Sequence, residues 1–532
     1  MRRILTVLAA GVPLAAAVYL PSASASASAS AEPRTTSTPF NCAAPSVKAP
    51  AGTEVESVTA VSQPGGTVQG TGILQGAVTD VPAYCEVTVT LTHPGADDHA
   101  KVRTWLPVSG WNGRFQGLGG SAYLAGDNNP GLATAVKNGY AAVTTDAGVG
   151  DALDTSWALN SQGQVNTALL KNFASRSQHE ASVVGKEVVD GVYGKRPAYS
   201  YFIGCSTGGR QGYMEAQRYP DDYDGILANA PAVNWDEFEV ATLWPQVVMN
   251  NEKTHPSSCE FSAFTAAAVK ACDKLDGVKD GLVNDPSRCD FDPRRLIGTK
   301  VVCEGKELTI TAADAAVVRK IWDGPRTPSG KKLWYGVPIG ADINALAGAD
   351  PFPVPAAWTK LWVAKDPSLD LSTITYSRFT ELFKQSQAEY DKVIGTDDPD
   401  LSAFRKSGGK LLTWQGDADQ YIPAQGTAQY RERVERELGS AKKVDDFYRL
   451  FLAPGTVHCG LNQGDGTTDA LGALTAWVEH GNAPKTLPAT LINADGQSVA
   501  RDLCNYPRVL RYTGHGDPAL ASSFKCVLPS RH

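Results

Sequence analysis

The sequence predicts an α/β fold: a sheet domain interrupted by a long insertion that packs over it as a lid. Two observations carry that reading. Short apolar runs of strand character alternate with helix-like segments in the first 230 residues and again after residue 410. From about Glu237 to Arg405 that regularity stops, and short helical pieces alternate with loops rich in Asp, Gly, Cys and Pro. A length of 532 residues suits one large domain with insertions, or two domains.

Taken in order, Met1-Arg2-Arg3 is a short basic start, Ile4 to Leu20 is apolar, and a Ser-Ala tract runs to Ala29-Ser30-Ala31, which suits a signal peptidase. Residues 1–31 therefore read as a secretory signal peptide. Pro13 and the small-residue tail argue against a membrane anchor, and no later apolar run is long enough to span a bilayer. Residues 32–52 are rich in Pro, Ser, Thr and Ala and begin as a loose tail. Strands are expected at Tyr84–Thr92, Val102–Pro107, Arg114–Gly117 and Tyr140–Thr145. Ala181–Val192 carries valines at helical spacing, and Tyr199–Ile203 is a short apolar strand ending at a Gly-Cys-Ser-Thr-Gly turn. A helix begins there, runs through Tyr213 to Arg218 and stops at Pro220; Gly225–Ala230 is the next strand. After the insertion come strands Lys410–Trp414 and Phe447–Leu452 and a helix Ala470–Glu479. The expected organisation is residues 32–236 and 406–532 as two parts of one core, with 237–405 as the lid.

The formal net charge is −7, and loss of residues 1–31 would remove Arg2 and Arg3 and no acid. This balance gives no reason to expect nucleic acid or an anionic membrane as a partner. All 10 cysteines lie beyond the signal, an even number that suggests five disulfides in an exported chain. Connectivity does not follow from sequence alone. Proximity favours Cys42–Cys85, Cys272–Cys289 and Cys504–Cys526, leaving Cys259–Cys303 beside a Cys205–Cys459 bridge.

Those last two cysteines flank residues of catalytic type. Cys205 directly precedes Ser206 and Cys459 directly follows His458. If they pair, their Cα atoms lie roughly 5.5–6 Å apart, and Ser206 and His458 must be close. Gly204-Cys205-Ser206-Thr207-Gly208 matches Gly-x-Ser-x-Gly between a predicted strand and a predicted helix. Small residues permit the strained turn that exposes a serine oxygen at the sheet's carboxyl edge. The helix start offers free N–H groups to developing negative charge. Strand Lys410–Trp414 then runs into a loop holding Asp417 and Asp419, and strand Phe447–Leu452 leads to His458. Serine, acid, histidine is the chain order of α/β-hydrolases. Asp419 sits in Gly-x-x-Asp-x-x-Ile-Pro and is preferred as the acid; Asp417 then structures the loop.

Within the insertion, Cys272-Asp273-Lys274-Leu275-Asp276-Gly277-Val278-Lys279-Asp280-Gly281-Leu282 gathers three aspartates among glycines. Such a set suits a hard cation, and equally an Asp/Gly turn; it is not an EF-hand, whose spacing and terminal glutamate are missing. Phe352, Trp358 and Trp362 could flank an aromatic substrate, while the spacing of the two tryptophans fits a buried helix face equally well.

Cys-Ser, a later Asp and His-Cys together resemble the tannase and feruloyl esterase family, which also includes the bacterial hydrolase of mono(2-hydroxyethyl) terephthalate. The similarity runs from the Asn112-Gly113-Arg114-Phe115 region to Cys526 and includes Arg501-Asp502-Leu503-Cys504-Asn505-Tyr506-Pro507. The resemblance implies an α/β-hydrolase core under a large lid, with the paired cysteines bridged beside the triad. It implies Ser206 as nucleophile, His458 as base and then acid, and Asp419 as orienter. Its oxyanion hole maps to the Thr207 N–H and a second N–H from Gly119 or Gly120. It also implies a structural calcium in the lid, held by Asp273, Asp276 and Asp280 through side chains and by Val278 and Leu282 through main-chain oxygen, with no organic cofactor. The expected function is a secreted serine carboxylesterase acting on esters of aromatic acids, feruloyl esters above all, free or polysaccharide-linked. The alternatives are a tannase acting on galloyl esters, a secreted serine peptidase with the same triad, and a non-catalytic calcium-dependent binding protein.

Overall fold

Nine strands of one sheet set the frame. The computed structural model describes residues 40–70, 76–126, 129–464 and 466–529; the segment read as a signal peptide lies outside them. The sheet is built from Glu54–Gln63 (β1), Tyr84–Thr92 (β2), Ala100–Pro107 (β3), Arg114–Leu118 (β4), Ala141–Thr145 (β5), Tyr199–Cys205 (β6), Gly225–Asn229 (β7), Lys410–Gly416 (β8) and Tyr448–Ala453 (β9), in the order β1-β2-β3-β5-β4-β6-β7-β8-β9. The pairs from β1 through β3 to β5 are antiparallel, and those from β5 to β9 are parallel.

The pattern of each strand explains its place. β5 and β7 are buried at every residue, as parallel strands covered on both faces must be. β1, on the edge, exposes most of its residues and was not expected from sequence. Alternate residues feed two cores. Phe202, Ile226 and Leu411 join Val184, Val188 and Tyr430 on one face, and Tyr201, Leu227 and Leu412 join Leu474 and Trp477 on the other. Helices α1 (Ser177–Tyr193), α2 (Thr207–Arg218) and α4 (Ala470–His480) extend the expected helical segments; α3 (Ala424–Leu438) follows β8.

Between Asn229 and Lys410 the described chain adds no strand to this sheet. It forms helices including Trp235–Ala241, Trp244–Glu252, Ser258–Cys272, Ala312–Asp323 and Tyr376–Tyr390. Two of them open on a reciprocal capping box, Ser257 with Glu260 and Thr311 with Asp314. Their apolar faces share one core with Tyr123 and Trp157 from loops above the sheet and with Phe173 from the helical turn Asn172–Arg176, so the lid is seated on the sheet's carboxyl edge. Further strands absent from the sequence reading form small antiparallel sheets near the C-terminus, among them Thr486–Ile492 with Ser498–Cys504. No helix of the described residues is long and apolar enough to cross a membrane.

The ten cysteines form five disulfides: Cys42–Cys85, Cys205–Cys459, Cys259–Cys303, Cys272–Cys289 and Cys504–Cys526.

Candidate active site

Ser206 stands between β6 and α2 with φ 64° and ψ −124°, a strained conformation for a residue with a side chain. The glycines around it are a packing requirement. A Cβ on Gly204 would lie 2.3 Å from the Gly208 backbone, and one on Gly209 would lie 2.3 Å from the Asn229 carbonyl oxygen. Backbone bonds fix the turn: Ser206 N–H donates to Asn229 O at 3.1 Å, and Ser206 O accepts from Arg210 N–H at 2.9 Å.

The acid loop leaves β8 and the histidine loop leaves β9 at the same edge. Asp419 is fully buried. Its Oδ1 accepts the N–H groups of Tyr421 at 3.0 Å and Ile422 at 2.8 Å, which aims Oδ2 at His458 Nδ1, 2.8 Å away. His458 N–H donates to Gln420 Oε1 at 3.1 Å, and the Tyr421 ring meets the imidazole edge-on at 5.4 Å. Asp417 stands elsewhere. It is buried against Asp285, and that burial pushes its carboxyl up to about 7. Of the two competing acids, only Asp419 touches His458.

The Cys205–Cys459 bridge joins the serine turn to the histidine loop with Cα atoms 6.1 Å apart across a separation of 254 residues. Ser206 and His458 line one cavity of about 280 Å³, with Thr207, Trp235, Phe238 and Tyr421 in its wall. An alcohol on a strained turn, lining one cavity with an imidazole held by a buried carboxylate, is the set of groups that can attack a carbonyl and move a proton.

The glycine loop corrects one expectation. Gly119 N–H donates to Ile203 O at 2.9 Å, extending the sheet, and Gly120 N–H donates to Gln211 Oε1 at 2.9 Å. Neither N–H is free to receive an oxyanion. Ser121 N–H is also engaged, on Leu124 O at 3.0 Å. The next N–H, that of Ala122, has no partner among the described residues. Ala122 sits at φ 49° in the cavity wall, and its carbonyl accepts the Thr207 hydroxyl at 2.7 Å. The loop turns two residues later than its glycines suggest, because those glycines serve close packing: a Cβ on Gly119 would lie 2.5 Å from Gly208 Cα.

The sequence profile described as "Tannase and feruloyl esterase" matches residues 85–365 and 354–527. The chain belongs to the tannase and feruloyl esterase family. Its members are carboxylic ester hydrolases, and this chain is one. It is 48% identical over 461 residues to a probable feruloyl esterase of Arthroderma benhamiae, spanning 83% of this chain and 85% of that protein. Among solved structures, tannin acyl hydrolase from Aspergillus niger superposes with a TM-score of 0.80 at 27% identity, covering 92% of this chain and 94% of that one. Feruloyl esterase B from Aspergillus oryzae gives 0.78 at 27% identity, covering 90% and 97%.

In the acidic loop, Asp273 Oδ1 accepts the N–H groups of Asp280 and Gly281, Asp276 Oδ1 that of Val278, and Asp280 Oδ1 that of Leu282. The second Asp280 oxygen contacts the Arg501 guanidinium. Burial pushes Asp276 up to about 7, and the carboxylates of Asp280 and Asp273 push the same way. Mutually repelling carboxylates, one buried and two half-buried, are a hard-oxygen donor set, so the residues fit a calcium ion chemically. Among the described residues, however, no three His, Cys, Asp or Glu side chains already stand at metal-binding spacing.

Of the three lid aromatics, Trp358 and Trp362 are fully buried and stacked on each other at 5.3 Å. Phe352 lines the cavity and stacks on Tyr421 at 4.6 Å. Sequence reasoning missed Ala122, whose importance rests on an unpaired N–H, and Glu239, an acid in the cavity wall. Helical spacing of Trp235, Phe238, Glu239 and Thr242 was the available signal for Glu239.

Proposed function

We propose that this chain is a secreted serine carboxylesterase that hydrolyses esters of aromatic acids through an acyl-enzyme, with feruloyl esters preferred. The observation that supports it best is the Asp419–His458 hydrogen bond at a cavity that Ser206 also lines, walled by aromatic side chains. Ser206 Oγ attacks the ester carbonyl carbon while His458 Nε2 takes its proton. The N–H groups of Thr207 and Ala122 receive the oxyanion. Collapse expels the alcohol, protonated by His458, and water then cleaves the Ser206 ester with His458 again as base. Asp419 keeps Nδ1 protonated and stabilises the imidazolium. Ser206 Oγ makes no hydrogen bond among the described residues, and its alignment with His458 tightens in the substrate complex. Calcium would be held by Asp273, Asp276 and Asp280 with the main-chain oxygens of Val278 and Leu282; it balances their charge and enters no step. Five disulfides suit an oxidising, extracellular setting.

The test is turnover of methyl ferulate, methyl gallate and a terephthalate monoester by wild type and Ser206→Ala. Methyl ferulate should be the best substrate, and the variant should fold and be inert. The structural likeness to tannin acyl hydrolase favours a second reading, which faster turnover of methyl gallate would establish. Amide cleavage without ester turnover would overturn both.

A further inference from the structure

We propose that the Glu239 carboxyl is a hydrogen-bonding subsite for the aromatic ring of the acyl group, recognising oxygen substituents on that ring and a vicinal pair best. The inference deepens the aromatic-esterase reading and rests on it. Trp235, Phe238, Glu239 and Thr242 all line the cavity that holds Ser206 and His458. Their spacing of three, four and seven residues puts them on one face along the helix Trp235–Ala241 and the residue that caps it. Two of the four are large aromatics suited to flank a ring; Glu239 is the acid among them.

Glu239 is 4% exposed and has no hydrogen-bond or ion-pair partner among the described residues. By contrast, Glu180 meets His93 at 2.7 Å, and Glu215, whose oxygens also lack a hydrogen-bond partner, is not in the lining of this cavity. An unmatched buried carboxyl is costly, and a ligand that pairs with it recovers that cost. The groups around it do not supply a partner. The Tyr123 hydroxyl donates to Val354 O at 2.9 Å, while Asp236 and Glu237 turn toward Asp391, Asp397 and Gln387. The other titratable groups of the cavity are His458 and Tyr421. Burial, with no charged neighbour contributing, pushes Glu239 up to about 8. At neutral pH it is a protonated acid with one O–H donor and one carbonyl acceptor. Two adjacent ring oxygens, one hydroxyl and one methoxy or hydroxyl, present the complementary donor and acceptor. A carboxylate would repel the methoxy oxygen.

The experiment measures kcat/KM for the methyl esters of cinnamic, p-coumaric, ferulic and 3,4-dimethoxycinnamic acids with wild type, Glu239→Gln and Glu239→Leu. Wild type should prefer ferulate to cinnamate. Glu239→Leu should lose about 10- to 100-fold on ferulate, because the ring oxygens are left unpaired, and keep cinnamate within about threefold. Glu239→Gln, with a donor and an acceptor, should retain most of the preference. The dimethoxy substrate can only accept. Its kcat/KM relative to cinnamate should fall in wild type as pH rises through about 8 and stay level in Glu239→Gln. Equal losses on ferulate and cinnamate, or a pH-independent ratio in wild type, would overturn the subsite. Wild type inert on all four esters would instead overturn the aromatic-esterase reading, and the subsite with it.

Discussion

Asparagine at position 419 tests the proposed proton path because the surroundings decide which way the amide turns. Asp419 Oδ1 accepts two backbone N–H groups, while Oδ2 faces His458 Nδ1 at 2.8 Å. In Asp419→Asn the amide oxygen keeps the two N–H groups, since the reverse placement would press NH2 against two buried donors at about 1–3 kcal/mol each. The amide nitrogen then donates to Nδ1. His458 is forced into the tautomer that carries its proton on Nε2, and it cannot accept the Ser206 proton. The same substitution in another serine triad lowers kcat about 10⁴-fold, which is roughly 5.5 kcal/mol of barrier. The assay is kcat on methyl ferulate at neutral pH, with circular dichroism to establish folding. Asp417→Asn is the control: Asp417 is equally buried and only two residues away, yet it does not touch His458, and its variant should stay within severalfold of wild type. A folded Asp419→Asn enzyme keeping more than about a tenth of its activity would refute the tautomer argument. So would an Asp417→Asn enzyme that falls as far.

Three further outcomes are expected. Replacing Cys205 and Cys459 together by serine removes a loop constraint worth about 5 kcal/mol by chain entropy, so the melting temperature should fall; kcat should fall too, and unchanged turnover in the folded variant would show that the bridge does not hold catalytic geometry. Calcium chelation should lower the melting temperature, whereas superimposable melts with and without chelator would remove the metal from the acidic loop. Thr207→Val deletes the hydroxyl that holds the Ala122 carbonyl at 2.7 Å; kcat should drop about tenfold with KM little changed, as for a weakened oxyanion site, and an unaltered kcat would discredit Ala122 as the second donor.

What the sequence disclosed follows from how local each cause is. The parallel strands were legible because burial on both faces leaves short apolar runs, and the serine turn because it needs small residues at fixed offsets. The edge strand Glu54–Gln63 was not legible: most of its residues face solvent, and its pairing with Tyr84–Thr92 decides its conformation. Asp419 over Asp417 was a matter of loop shape in the sequence and of one hydrogen bond in the structure. The oxyanion loop misled for a physical reason. Gly119 or Gly120 looks like the second anion donor beside Thr207, but their N–H groups are used by Ile203 and Gln211, partners 84 and 91 residues away that no local pattern reveals. Trp358 and Trp362 show the same limit, since identical spacing serves a wall or a core, and both lie in the core.

The arrangement of strands also explains why a covalent link belongs at this site. Ser206 follows β6 and the Asp419 loop follows β8, with β7 between them. Neighbouring strands lie about 4.8 Å apart, so the two loops start roughly 10 Å from each other, and the histidine must bridge that gap from β9, farther still. The acid and histidine loops are fastened to each other by backbone bonds, Asp417 N–H to Ala453 O at 2.9 Å and Ala418 N–H to Thr456 O at 3.1 Å. Between the serine turn and the histidine loop, the Cys205–Cys459 bridge is a covalent tie. Sheet geometry thus fixes two members of the site relative to the backbone, and sulfur fixes the third to the first, where a displacement of about 1 Å would already slow the chemistry strongly.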